Sequence, residues 1–201
     1  MALPRCPCCE ASHLEIFHEV DQVPTNSCIL LPTKAEALAY PRGNIRLGFC
    51  RACGFISNTA FDPALTEYSG RYEETQGFSP TFNAFHEQLA RTLVQRHGLR
   101  GKDIIEIGCG KGEFLSLLCE LGENRGLGFD PGYSEERGKQ LSASHFEVVR
   151  DFFSERYTDR QADFVCCKMT LEHIRTPQAF MRTAIQVARH PDGTVFIQVP
   201  E

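Results

Sequence analysis

No apolar stretch in this chain approaches the length a bilayer-spanning helix needs, and Met1 to Glu10 carries no signal-like apolar core. Basic residues form no block, and 26 Asp and Glu outnumber 21 Lys and Arg, for a net charge of −5. That balance excludes nucleic acid and anionic membranes as the main partners and predicts a cytoplasmic protein. No internal repeat or low-complexity tract is evident. Two ligand fingerprints are also missing. No Gly-Lys-Ser/Thr closes a phosphate loop, and no third glycine completes G-x-G-x-x-G for a dinucleotide.

The residues that are present point to a different ligand. Asp103 to Phe114 reads D-I-I-E-I-G-C-G-K-G-E-F. Ile104, Ile105 and Ile107 predict a short buried strand, and the apolar pattern turns helical after Gly108, Gly110 and Gly112. A strand turning tightly into a helix is expected to leave free backbone N–H groups and a positive dipole end at an open crevice. Glycines let a ligand approach that backbone. Glu106, just ahead of the turn, would repel a pyrophosphate and suits a cationic or hydroxyl-bearing ligand. A plain tight turn is the alternative.

Further acids follow at successive strand ends. Gly126 to Asp130 (G-L-G-F-D) predicts a second strand, with Asp130 twenty positions after Gly110 and followed by Pro131. A strand-helix-strand unit brings that end beside the first, where a carboxylate can accept both hydroxyls of a ribose. Phe146 to Val149 gives a third strand, followed by Asp151-Phe152-Phe153. An acid beside aromatic rings suits an adenine. Each acid alone could be a solvated loop residue; three in register weaken that reading.

Ten cysteines are many for a reducing compartment. Cys6 and Cys9 form one C-x-x-C, Cys50 and Cys53 another, and together they offer four thiolates to a tetrahedral structural zinc. Pro7 and Gly54 suit the turns that would aim the sulfurs inward. A redox pair would open a helix after a strand, which neither does. Cys8 is an alternative ligand, Cys28 is undecided, and Cys109, Cys119, Cys166 and Cys167 read as small buried apolar residues.

Residues 1–60 read as a short-stranded zinc-binding module too poor in apolar residues to fold without metal, with a helical patch in Pro32 to Tyr40. Residues 61–78 read as a linker and 79–201 as the ligand-binding domain. Ser79-Pro80 opens a helix with Phe82, Phe85, Leu89 and Leu93 as its apolar stripe and Gly98 as its stop. Strands near 103–108, 126–130, 146–150, 163–168 and 194–199 alternate with helices near 112–121, 134–143 and 177–189. This alternation predicts an α/β, Rossmann-like parallel sheet in the order 3-2-1-4-5, with a ligand crevice where the order reverses.

E-I-G-C-G-K-G, G-F-D-P and R-D-F-F resemble the successive cofactor motifs of class I S-adenosylmethionine-dependent methyltransferases. The resemblance implies that Glu106, Gly108, Cys109 and Gly110 surround the methionine part. It further implies that Asp130, with Pro131, takes the ribose, and that Asp151 and Phe152 flank the adenine. Lys168 joins this cofactor-binding set. The chain stops at Glu201, ahead of two strands usual in that class, so an incomplete sheet is expected.

The two cysteine pairs, Arg71-Tyr72 and Ser79, and T-L-E-H-I narrow the likeness to zinc-containing C-methyltransferases of nucleotide-linked deoxysugars. In that family a linker tyrosine and the histidine after the fourth strand line the acceptor pocket, which by motif are Tyr72 and His173. The family's Tyr-x-Glu-His segment and large C-terminal domain do not occur within these residues. Glu172-His173 is the best acid/base pair here; capping the loop toward Thr176 is its plainer role. The expected function is methyl transfer to a small-molecule acceptor, a sugar carbon being favoured. O- or N-methylation of a small metabolite, or a non-catalytic cofactor-binding scaffold, are the alternatives.

Overall fold

A computed structural model describes residues 5–26, 28–65, 73, 76–134 and 146–200. The chain divides into two compact units, one of Met1–Glu73 with Arg175–Gln178, the other of Glu74–Ile174 with Ala179–Glu201.

The first unit is built on an antiparallel sheet, β1 (Glu15–Pro24), β2 (Arg42–Phe49) and β3 (Ile56–Asn58), in that order. At ten residues β1 is longer than the short strands expected. Register shifts between Ile16 and His18 and between Val20 and Val23 interrupt its alternation, so the sequence shows only fragments. The helical patch is α1 (Lys34–Ala39), where the Thr33 hydroxyl caps the helix by accepting the Glu36 N–H and also donates to the Glu36 carboxylate. Among the apolar residues described in this unit, only Cys6, Ile29 and Cys50 are buried. So small a core cannot offset the entropy of ordering these strands.

The second unit opens with α2 (Pro80–His97). Ser79 Oγ accepts the Phe82 N–H at its start, and Gly98 ends it in the left-handed region at φ 61°. The buried face of α2 is His86, Ala90, Leu93 and Val94, and Phe85 lies 47% exposed. The expected stripe was therefore rotated, because it counted phenylalanines and passed over a histidine.

Five parallel strands follow: β4 (Asp103–Ile107), β5 (Arg125–Phe129), β6 (Phe146–Val149), β7 (Phe164–Lys168) and β8 (Thr194–Gln198). They line up as β6-β5-β4-β7-β8, the predicted order. Between them run α3 (Glu113–Gly122) and α4 (Pro177–Val187). The helix expected near 134–143 falls almost wholly outside the described residues.

Strand alternation sorts the core into two layers. Ile104, Phe164 and Cys166 pack with Leu93, Val94, Phe114, Leu115 and Leu118 beneath α2 and α3. Ile105, Ile107, Val165 and Cys167 pack on the opposite face with Phe180, Ala184 and Val187 of α4. At the N-terminal end of the sheet, Arg189 bridges Asp103 (3.0 Å) and Asp163 (2.8 Å), and Arg125 joins Asp103 at 2.7 Å. Those ion pairs pin the strand starts, at the end of the sheet opposite the glycine elbow. No helix among the described residues is long and apolar enough to cross a membrane.

Candidate functional site

The glycine elbow sits at the C-terminal end of β4, at the reversal of strand order. Four of its N–H groups, where free donors were expected, are taken up inside the protein. Gly108 and Cys109 donate to the Phe129 carbonyl (2.8 and 3.2 Å), Gly110 to Asp130 Oδ2 (2.9 Å) and Gly112 to the Cys109 carbonyl (2.8 Å). The elbow folds over the end of β5, and buried donors there must find partners inside the protein. Gly108 has φ 72°, and a Cβ there would collide with Thr170 Oγ1. Only glycine fits that contact.

Asp130 is the hinge of the site. Besides Gly110, it accepts the Gly132 N–H at Oδ1 (2.8 Å), so both oxygens are oriented before any ligand arrives. Each oxygen keeps lone-pair capacity for a hydroxyl. Pro131 directs the chain away after Asp130, its carbonyl 3.5 Å from Arg150 Nε.

Glu106 is 2% exposed, and its Oε2 has no hydrogen-bond partner among the described residues. Burial pushes its pKa up to about 8, against the opposing pull of Lys168 and the Leu115 amide, with Asp130 adding to the rise. An orphaned acceptor of this kind is expensive to bury and suits an incoming cation.

Lys168 ends β7, and its Nζ lies 2.9 Å from His86 Nε2 and over the rings of Phe114 (5.2 Å) and Phe82 (5.9 Å). Burial, reinforced by the lysine charge, lowers the His86 pKa to about 4, so its imidazole is neutral near pH 7. Sequence reasoning missed His86, because a lone histidine among helix aromatics gives no ligand pattern. Beyond Lys168 the chain passes through Met169 in the left-handed region (φ 56°), an unusual conformation for a non-glycine residue. It then forms a single turn, Leu171–His173, which leaves His173 exposed at this end of the sheet.

Asp151, past the end of β6, accepts from the Tyr157 hydroxyl (2.6 Å), Arg156 (2.5 Å) and the Phe152 N–H (2.8 Å). The tyrosine hydrogen bond leads the causes that lower its pKa. Phe152 is 61% exposed, an open ring face beside that carboxylate. The structure thus places Glu106, Gly108, Cys109, Gly110, Asp130, Lys168 and His173 at neighbouring strand ends. Asp151 and Phe152 stand one strand further out. Tyr72 lies outside the described residues.

In the first unit, Cys6, Cys9, Cys50 and Cys53 bring their sulfurs within 4.8 Å of one another. Cys6 lies 3.7 Å from Cys53 and Cys9 3.6 Å from Cys50. Tetrahedral metal–sulfur bonds of about 2.3 Å require sulfur separations of roughly 3.8 Å, so the cluster fits a four-thiolate metal site. Each pair rides on its own turn, and the two turns are alike. The Glu10 N–H bonds the Cys6 carbonyl (2.9 Å) and the Gly54 N–H the Cys50 carbonyl (2.8 Å), each from the left-handed region (φ 62° and 76°). The first turn was half hidden in the sequence because Glu10 occupies the glycine position. Cys119, Cys166 and Cys167 are buried in the apolar core, as expected, and Cys109 is buried beside the Glu106 and Asp130 carboxyls.

Comparison with known proteins agrees with this geometry. A family model described as a methyltransferase domain matches residues 82–201. Ubiquinone biosynthesis O-methyltransferase of Escherichia coli O157:H7 is 27% identical over 135 residues, covering 64% of this chain and 55% of that protein. The same-named protein of Shigella boydii matches to the same extent. The chain thus spans little more than half the length of these curated relatives. A crystal structure from Methanococcus maripaludis, provisionally described as an S-adenosyl-L-methionine-dependent methyltransferase, superposes with a TM-score of 0.52 at 11% identity. It covers 66% of this chain and 64% of its own.

Proposed function

This chain belongs to the methyltransferase-domain family, and on that footing we propose that it transfers a methyl group from S-adenosylmethionine to a small-molecule acceptor. The observation that carries the proposal is the pairing of a buried, partnerless Glu106 oxygen with a pre-oriented Asp130 carboxylate across one glycine elbow. When bound, S-adenosylmethionine supplies a methyl group activated by positively charged sulfur.

The roles of the residues follow from their chemistry. Glu106 takes a cationic group, and Gly108, Cys109 and Gly110 give the methionine part close access to the backbone. Asp130, with Pro131 fixing the chain behind it, accepts the ribose hydroxyls. Asp151, held by Tyr157, faces the adenine amine with Phe152 offering its ring. The chain's contribution to rate is alignment of the acceptor with the methyl group and exclusion of water. His173 removes the acceptor proton. The four-cysteine cluster holds one structural zinc, whose four thiolates leave no position for substrate.

The favoured acceptor is a carbon of a nucleotide-linked deoxysugar, supported by the two C-x-x-C pairs together with T-L-E-H-I. A hydroxyl acceptor is the second reading, favoured by the O-methyltransferase name of the curated relatives. The test is turnover with 13C-methyl-labelled S-adenosylmethionine and panels of both acceptor classes. A labelled methyl bonded to carbon supports the first reading and one bonded to oxygen the second. Label transfer to neither panel by cofactor-binding protein contradicts the enzyme assignment.

A further inference from the structure

The layer beneath α2 contains polar side chains that an apolar core does not need. Lys168 and Gln198 are register partners on β7 and β8, and Glu106 of β4 pairs with Cys166 of β7, two residues before Lys168. Parallel partners point to the same face, so Glu106, Lys168 and Gln198 all project toward α2, where His86 is buried. Lys168, on the middle strand, has an acid on one side and an amide on the other.

Two buried side-chain atoms in the described residues lack a hydrogen-bond partner, Glu106 Oε2 and Gln198 Oε1. They belong to the two residues flanking Lys168. A structural ion pair would close Lys168 onto Glu106 and satisfy both. Instead the ammonium is turned to His86, and no ion pair with Glu106 occurs among the described contacts. A lysine ammonium and a carboxyl group are held apart on one wall, each with capacity to spare. The ligand chemistry that completes such a wall carries both charges itself.

We propose that His86 is a positioning residue, whose Nε2 fixes the Lys168 ammonium to receive the carboxylate of an α-amino-acid head group while Glu106 receives its ammonium. Gln198 completes the carboxylate side, because its amide, turned over, offers an N–H to the second oxygen. Burial keeps the His86 imidazole unprotonated, which leaves it an acceptor for the lysine. The charged groups around Glu106 are Lys168 and Asp130, and Lys168 is the cation among them. This rests on the proposed cofactor and adds which residues read its amino-acid end.

The experiment compares, by calorimetry on the full chain, the affinity of S-adenosylmethionine with that of its decarboxylated analogue. The wild type should prefer the carboxylate-bearing form by roughly 10–100-fold, as for a buried charged hydrogen bond. His86→Phe and Lys168→Met should each shrink that ratio below about 3-fold, weakening the intact cofactor and sparing the analogue. His86→Gln, which keeps an acceptor, should restore part of it. Should His86→Phe fail to fold, the other two variants decide the matter. An unchanged ratio in the variants, or no preference in the wild type, overturns the role of His86 and Lys168 while leaving the methyltransferase reading intact. Failure of the wild type to bind either compound overturns both.

Discussion

Glu106 keeps its proton in the folded protein at pH values where the unfolded chain has lost it. Its pKa rises from the ordinary 4.5 to about 8, so the folded state binds more protons between those limits. Stability of the ligand-free protein should therefore fall as pH climbs through that window and then level off. Glu106→Gln should flatten the fall and raise the melting temperature at pH 8, while weakening S-adenosylmethionine. Melting curves from pH 5 to pH 9 check the sign; a variant less stable than wild type at pH 8 contradicts it. At Asp130, alanine removes the acceptor for Gly110 and Gly132 together. Cofactor affinity should drop by roughly 10–100-fold, the cost of a charged hydrogen bond, in a calorimetric titration. Asp130 was legible from sequence because its acid closes a predicted strand at the right distance. His86 and Gln198 were not, since a polar residue inside an apolar pattern shows its purpose only when its neighbours in space are known.

Among the elements, the cysteine turns carry the sharpest expectation. Glu10 holds a backbone conformation that favours glycine, at φ 62°, where its counterpart is Gly54. Glu10→Gly should stabilise the first unit by about 1 kcal/mol, the usual cost of a left-handed residue with a Cβ. Denaturant midpoints measure it, and a lower midpoint for the variant contradicts the turn geometry. Metal analysis should return one zinc per chain. Cys50→Ser should lose that metal together with the ellipticity of β1 to β3, because so few apolar residues in that unit are buried. The C-x-x-C spacing made the ligands readable, whereas the length of β1 was concealed by its bulges. In the parallel sheet the strand positions were plain, because β4 and β7 are nearly continuous apolar runs. Phe164, fully buried between α2 and β8, anchors that sheet. Phe164→Ala should cost about 3–5 kcal/mol by chemical denaturation.

At the scale of the whole molecule, the strand order was readable because strand-helix alternation with right-handed crossovers permits few arrangements. Where the N–H groups of Gly108, Cys109 and Gly110 go was not readable, since their partners lie on β5 and at Asp130, remote in sequence. That difference changes the account of binding. In the proposed complex the ligand meets carboxylates, of which the elbow and Gly132 have already oriented Asp130. A cationic, ribose-bearing cofactor fits such a wall, and a pyrophosphate does not. The most direct measurement is calorimetric titration of the full chain with S-adenosylmethionine and, separately, with NAD. One molecule of S-adenosylmethionine per chain, with no heat from NAD, is the predicted result; binding of NAD alone would contradict the assignment at its root.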